Sequence, residues 1–272
     1  MVLESLLSPE IAKQKPFYLL GMSTAFSFLA IWLSNIIFPA QASAFAVALM
    51  TIFFVPYFHK MLSLEENVDR EESKHHIHGF LTRHKSLIIA YSAFFMGTII
   101  AFSFVFIFMP QYTNVFALQT GWLNSNRAVT GDIINPTHFS LYLANNTQVM
   151  LIFFILSVIF GAGAIFILTW NASVIAVFLG MIANSFVPAM GQPTAYVYGV
   201  SVGLASIALH GLPEIAGYFA AGVAGGILST ALIKESPGSK EFNEVMKDSV
   251  VWILAAEALI VSAAVLEALV IF

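Results

Sequence analysis

The chain has no cysteine. Disulfides, thiolate metal sites and a cysteine nucleophile are therefore excluded. Charge is nearly as scarce: Asp, Glu, Lys and Arg make up 10% of the 272 residues. None of the four occurs from Phe17 to Phe58, from Leu87 to Asn126 or from Ile133 to Pro213. A helix crossing the hydrocarbon core of a bilayer needs about 20 mostly apolar residues, so each of these runs can cross at least once. The net charge of −4 argues against nucleic-acid binding. No Lys/Arg-rich tract offers a clamp for lipid headgroups.

What is present is apolar. Hydrophobic residues make up 59% of the chain and the mean hydropathy is +0.86, far above a soluble domain. The expected fold is all-α: a polytopic transmembrane bundle of about six to eight membrane segments in a lipid bilayer. Met1 to Pro16 carries Glu4 and Glu10 before a long apolar run. A signal peptide has a basic start and a short apolar core, so the first segment reads as an uncleaved span.

Residues 1–58 read as an N-terminal hairpin, with spans at Phe17–Phe38 and Ala42–Phe58 around a turn at Pro39 and Gln41. Residues 59–86 form a polar, His-rich loop with five basic and five acidic residues. Residues 87–272 form the core. Its spans are expected at Leu87–Met109, Asn146–Trp170, Glu214–Ile233 and Val250–Phe272, with shorter apolar segments at Asn171–Val187 and Thr194–Leu209. Pro110–Asn145 reads as a long connection with an interfacial or re-entrant piece, given Val115, Phe116, Leu118, Trp122 and Leu123. Pro188, Gly191 and Pro193 interrupt the chain, and His210-Gly-Leu-Pro-Glu214 reads as a second break. A broken or re-entrant element is therefore expected near 171–213.

Basic residues set orientation in a membrane. Lys13 and Lys15 precede the first span, and Lys60, Arg70, Lys74, Arg83 and Lys85 follow the second. The N-terminus and the 59–86 loop are expected in the cytoplasm of a multi-pass cell-membrane protein. If every later segment crosses, the three lysines of Lys234–Asp248 fall outside. Making one short segment re-entrant returns them to the cytoplasm.

Three carboxylates interrupt the apolar runs: Glu214, Glu257 and Glu267. A charge at the bilayer centre costs roughly 2.5–3.5 kcal/mol on insertion scales and usually faces a bundle interior or a wet cavity. His210 and Glu214 are four apart, but Gly211 and Pro213 lie between them. Three readings stand: a helix end followed by a helix start, a cation or proton site, or a catalytic pair. Glu257 is expected to pair inside the bundle, with Asn145, Asn146, Asn171 or Asn184 as candidates. Glu267 either joins it or reaches the interface. Asn145, Asn146 and Asn171 also suit helix ends, and Asn184 suits an inter-helix hydrogen bond. His210 and Glu214 are candidate metal ligands. His75, His76 and His78, near His59 and His84, form a second candidate cluster or a solvated, pH-responsive one. A bound metal cation is the one cofactor considered.

Gly199 and Gly203 form a G-x-x-x-G, as do Gly222 and Gly226, the second extended by Gly217 and Ala221. Such faces let helices approach closely, either within the chain or in a homodimer or small homo-oligomer.

Several pieces resemble the stage II sporulation protein M family over roughly residues 90–272. Asn145-Asn146 opens a span with Gly161-Ala-Gly163 within it, Asn171-Ala172 follows, His210-Gly-Leu-Pro-Glu214 opens a long helix followed by glycines, and Glu267-Ala268 lies near the end. The family pattern has Asn-Gly and Pro-His-Gly where this chain has Ala172 and Leu209. The resemblance implies an integral membrane protein, with the sporulation member a non-enzymatic subunit of a complex acting on cell wall and membrane during engulfment.

Three functions follow. The first is a channel- or transporter-like protein with a polar site for a cation or proton built from His210, Glu214 and Glu257, with Asn146 and Asn171 lining it. The second is a non-enzymatic scaffold recruiting membrane or cytoplasmic partners. The third is an intramembrane metal-dependent hydrolase, which needs at least three converging ligands and an open position.

Overall fold

The computed structural model describes Ser8 and residues 15–72, 85–127 and 136–269, with backbone alone at 65–72, 126–127 and 136–138. Among the described residues the chain is helical, without strands. In order, the helices are α1 (Pro16–Ile37), α2 (Ala42–Glu72), α3 (Lys85–Phe108), α4 (Ala117–Arg127), α5 (Pro136–Phe160), α6 (Ala164–Ser185), the single turn α7 (Val187–Met190), α8 (Gln192–Lys234) and α9 (Lys240–Leu269). Seven of these segments are long and apolar enough to cross a membrane.

The helices form where backbone groups have no water to bond with and must satisfy one another. Hydroxyls inside the spans follow the same rule. Thr24, Thr98 and Thr169 donate to carbonyls one turn back, on Leu20, Phe94 and Ile165. Aromatic rings fill much of the interior: Phe58 stacks on Tyr91 at 4.8 Å, and Phe54 and Phe94 pack around them. At the other end, Ile31, Phe102, Val105, Val115, Phe116 and Val177 form a second core.

The connection after α3 tucks into that second core. A 3-10 turn at Pro110–Phe116 buries Val115 and Phe116, and α4 buries Gln119. The Gln119 amide accepts from the Ser43 hydroxyl at 2.6 Å and donates to Ser173 at 2.9 Å. This polar bridge ties the start of α2, α4 and the middle of α6 together.

Besides the earlier starts of α5 at Pro136 and α9 at Lys240, each ten residues before the expected span, three features differ from the sequence reading. The span expected at Asn146–Trp170 is α5, and it ends at Phe160. Gly161, with φ of +66°, turns the chain at Gly161-Ala-Gly163 into α6. Second, the segments Thr194–Leu209 and Glu214–Ile233 are one helix: α8 continues through His210-Gly-Leu-Pro-Glu214, with Pro213 inside it. The interruption within 171–213 is instead the turn around α7. Third, α2 extends to Glu72, so the polar loop begins as helix; His75, His76, His78 and His84 lie outside the described residues. A single α8 also removes the lysine conflict. Seven single crossings put Lys60, Lys85, Lys234 and Lys240 on one side without a re-entrant segment.

At 1.5 Å per residue α8 is about 65 Å long, roughly twice the hydrocarbon thickness, so it tilts or projects. Its first half packs on α6, where a Cβ on Gly199 would collide with Ala183 and one on Gly203 would lie 2.8 Å from Leu179. Its second half is sheathed by α5, α9 and α2, and every residue from Gly217 to Ala231 is buried. A Cβ at Gly225 would lie 2.5 Å from the Phe154 carbonyl oxygen, and one at Gly226 would lie 2.8 Å from Leu62. Both glycine faces are thus filled by helices of the same chain, and neither is left for a homodimer contact.

Gly225→Leu is expected to lower the thermal unfolding midpoint in detergent, by the equivalent of about 1–3 kcal/mol or more, because backbone cannot yield to the added side chain. Gly21→Leu, in open space, should leave the midpoint unchanged. Equal midpoints for the two variants would contradict this packing.

Candidate functional site

The three acidic side chains inside the spans, with His210 and Asn146, lie along the seam where α8 meets α5 and α9. Register follows from packing contacts. Gly222 faces Phe153, and Gly225 faces Phe154 and Ser157, so α5 and α8 run parallel. Moving back along both helices brings Asn146 to the level of Glu214 and Tyr142 to the level of His210. On the other side Gly217 faces Ala256 and Ile260, and Ser249 donates to the Ala224 carbonyl. That antiparallel register places Glu257 near Tyr218 and Glu267 near His210.

Because α8 is continuous, His210, Glu214 and Tyr218 lie one turn apart on one face. The Tyr218 hydroxyl donates to Glu214 Oε1 at 2.7 Å, and its ring stacks on Phe153 at 5.0 Å. Glu267 lies within electrostatic reach of both Glu214 and Tyr218, and of Tyr142 on α5. Glu257 accepts from the Thr147 hydroxyl, at 2.9 Å to Oε1 and 3.2 Å to Oε2. His210, Glu214, Glu257 and Glu267 are all half-buried. Asn146 sits on the stripe Asn146, Met150, Phe153 and Ser157, which is buried throughout. Its Oδ1 accepts from Asn145 at 3.0 Å, but its Nδ2 has no hydrogen-bond partner. His210 Nδ1 is likewise buried without one. Pro213, inside α8, has no N–H to give to the carbonyl of Leu209.

Several sequence expectations need correction. His210 does not cap a helix end, and Glu214 does not start a helix. Asn145 and Asn146 lie inside α5, and Asn171 lies inside α6, bonded to the Ile167 carbonyl at 2.9 Å rather than to the seam. Asn184 is exposed in the last turn of α6, away from the seam. The partner of Glu257 is Thr147 and none of the four asparagines. Tyr218, Tyr142 and Thr147 were not singled out. Tyr218 was within reach of the i,i+4 rule, whereas Thr147 and Tyr142 meet their partners only through tertiary packing. Among the described residues no three His, Asp or Glu side chains are placed to hold a metal ion. The hydrolase reading, which needs three, therefore lacks its ligand set there.

The stage II sporulation protein M family matches residues 86–270, which contain every side chain of the seam. The chain belongs to that family. The family region starts at α3, so the α1–α2 hairpin lies before it. No curated protein and no solved structure matches the chain significantly.

Replacing Thr147 by Val keeps the shape and removes the donor to Glu257. The loss is expected to be about 1–2 kcal/mol, seen as a lower unfolding midpoint in detergent. A midpoint equal to wild type would mean that the bond adds nothing.

Proposed function

We propose that this multi-pass membrane protein is channel- or transporter-like and that the α5–α8–α9 seam is its site for a cation or proton. One observation supports this above the others: the antiparallel register of α8 and α9 brings Glu214 and Glu267, from different helices, to neighbouring turns of one seam, with the Tyr218 hydroxyl bonded to Glu214. Carboxylates placed in apolar spans for packing alone have no reason to meet. Each would be cheaper as a neutral residue or apart from its like. Glu257, with its own donor in Thr147, extends the polar line along α9. Glu214→Gln is expected to abolish cation- or proton-driven flux in proteoliposomes, while Glu241→Gln, exposed at the start of α9, leaves it intact. Flux unchanged in Glu214→Gln would remove this residue from the mechanism.

A scaffold role is the second reading. The glycine faces give it no surface, since the chain fills them itself. The outward faces of α5 and α9 remain for a partner, with Leu151, Ile155, Leu254 and Val261 exposed.

We place the N-terminus and the 59–86 loop in the cytoplasm, with the α8–α9 turn on the same side, because basic residues concentrate there. The absence of native cysteine makes the test clean. Gln192→Cys is expected to react with a membrane-impermeant maleimide on intact cells, and Ser236→Cys only after lysis. The reverse pattern would invert the topology.

A further inference from the structure

We propose that Glu214 and Glu267 bind a proton in the seam, carried to them by internal water held at Asn146 and at His210. This rests on the reading of the seam as a cation or proton site and narrows it to one species.

The argument starts from polar atoms left without partners. Asn146 is 5% exposed and faces α8 at the level of Glu214, yet its Nδ2 has no acceptor. His210 Nδ1 is buried without a partner one turn away. A buried donor without an acceptor costs about 1–3 kcal/mol. Donor and acceptor groups that gather at one level without bonding one another are what holds an internal water, which needs 2–4 polar partners.

The surroundings favour a proton over a metal ion. Glu214 accepts from Tyr218 on its own helix, one turn from His210; Glu257 and Glu267 of α9 and Tyr142 of α5 lie along the same seam, α6 contributes no titratable group, α3 brings Tyr91 against Phe219, and α2 packs on α8 further along, with Leu62 at Gly226. Imidazole, carboxyl and phenol groups all exchange protons with water. No three of the described acidic or histidine side chains converge on a point where a metal could sit. The transfer is simple. A hydronium ion breaks one O–H bond, a carboxylate oxygen forms one, and a neutral water remains; release reverses both. Inward, the Phe153–Tyr218 stack and the buried stretch to Ala231 close the seam.

Dicyclohexylcarbodiimide tests this on the purified full-length wild-type chain in detergent. It adds to protonated carboxyl groups in apolar surroundings, giving an acylurea with no atoms lost, and peptide mass spectrometry locates the adduct. Glu214 or Glu267 is expected to be labelled, about tenfold less at about pH 9 than at about pH 5, with no protection by Na+ or K+. Protection by either ion would overturn the proton and leave the cation site standing. Absence of labelling on both residues across that range would overturn the shared site itself. In Asn146→Leu the midpoint of the labelling curve is expected to move by about one pH unit or more. A midpoint that stays in place would remove Asn146 from the site.

Discussion

Everything in this bundle depends on how closely other helices can approach α8. In lipid no hydrophobic force draws helices together, so contact comes from backbone-to-backbone packing and hydrogen bonds. The segment Gly217–Ala231 is built for this, ten of its fifteen residues being Gly, Ala, Ser or Thr. Phe154 and Ser157 of α5 lie directly against Gly225, Leu62 of α2 against Gly226, and Ile260 of α9 against Gly217. This packing fixes the register of three helices at once. The position of every polar group in the seam follows from that register.

The second constraint is continuity. A proline inside a helix removes one backbone bond and costs about 3 kcal/mol or more in a soluble protein. In lipid a full break would leave several N–H and C=O groups without partners, which is costlier still. Keeping α8 intact through Pro213 is the smaller penalty, and its by-product is chemical. His210 and Glu214 stay on one face.

This also explains what the sequence made legible. Spans appear wherever charge is missing, because the cost of burying charge is large, and the limits of α1 and α3 follow from that alone, whereas α9 begins at Lys240, inside the charged stretch expected to be a loop. Glu214, Glu257 and Glu267 stand out for the same reason. The turn at Gly161-Ala-Gly163 does not, because small apolar residues look alike to hydropathy whether they pack a helix or end one. Only the left-handed φ of Gly161 distinguishes the two. His210-Gly-Leu-Pro-Glu214 misleads in the opposite direction: glycine and proline punctuate helices in water, while lipid enforces continuity. Asn146 and Asn171 were read alike. Tertiary packing separates them, turning one toward α8 and leaving the other bonded to its own helix.

The carboxyl pair poses an electrostatic question that the fold alone does not answer. Two unit charges of like sign repel by about 4 kcal/mol at 4 Å in an effective dielectric of about 20. Tyr218 offers one hydroxyl to Glu214, and a single neutral hydrogen bond returns about 1 kcal/mol net. No described Lys or Arg lies among the groups of the seam to offset the remainder. In the proposed reading a positive charge from solution supplies it. A metal ion would need several oxygen or nitrogen ligands at one point, and the side chains are instead spread over successive turns of three helices. A proton needs only one oxygen at a time and a water to carry it, and that is the arrangement which Asn146, His210, Glu214 and Glu267 offer.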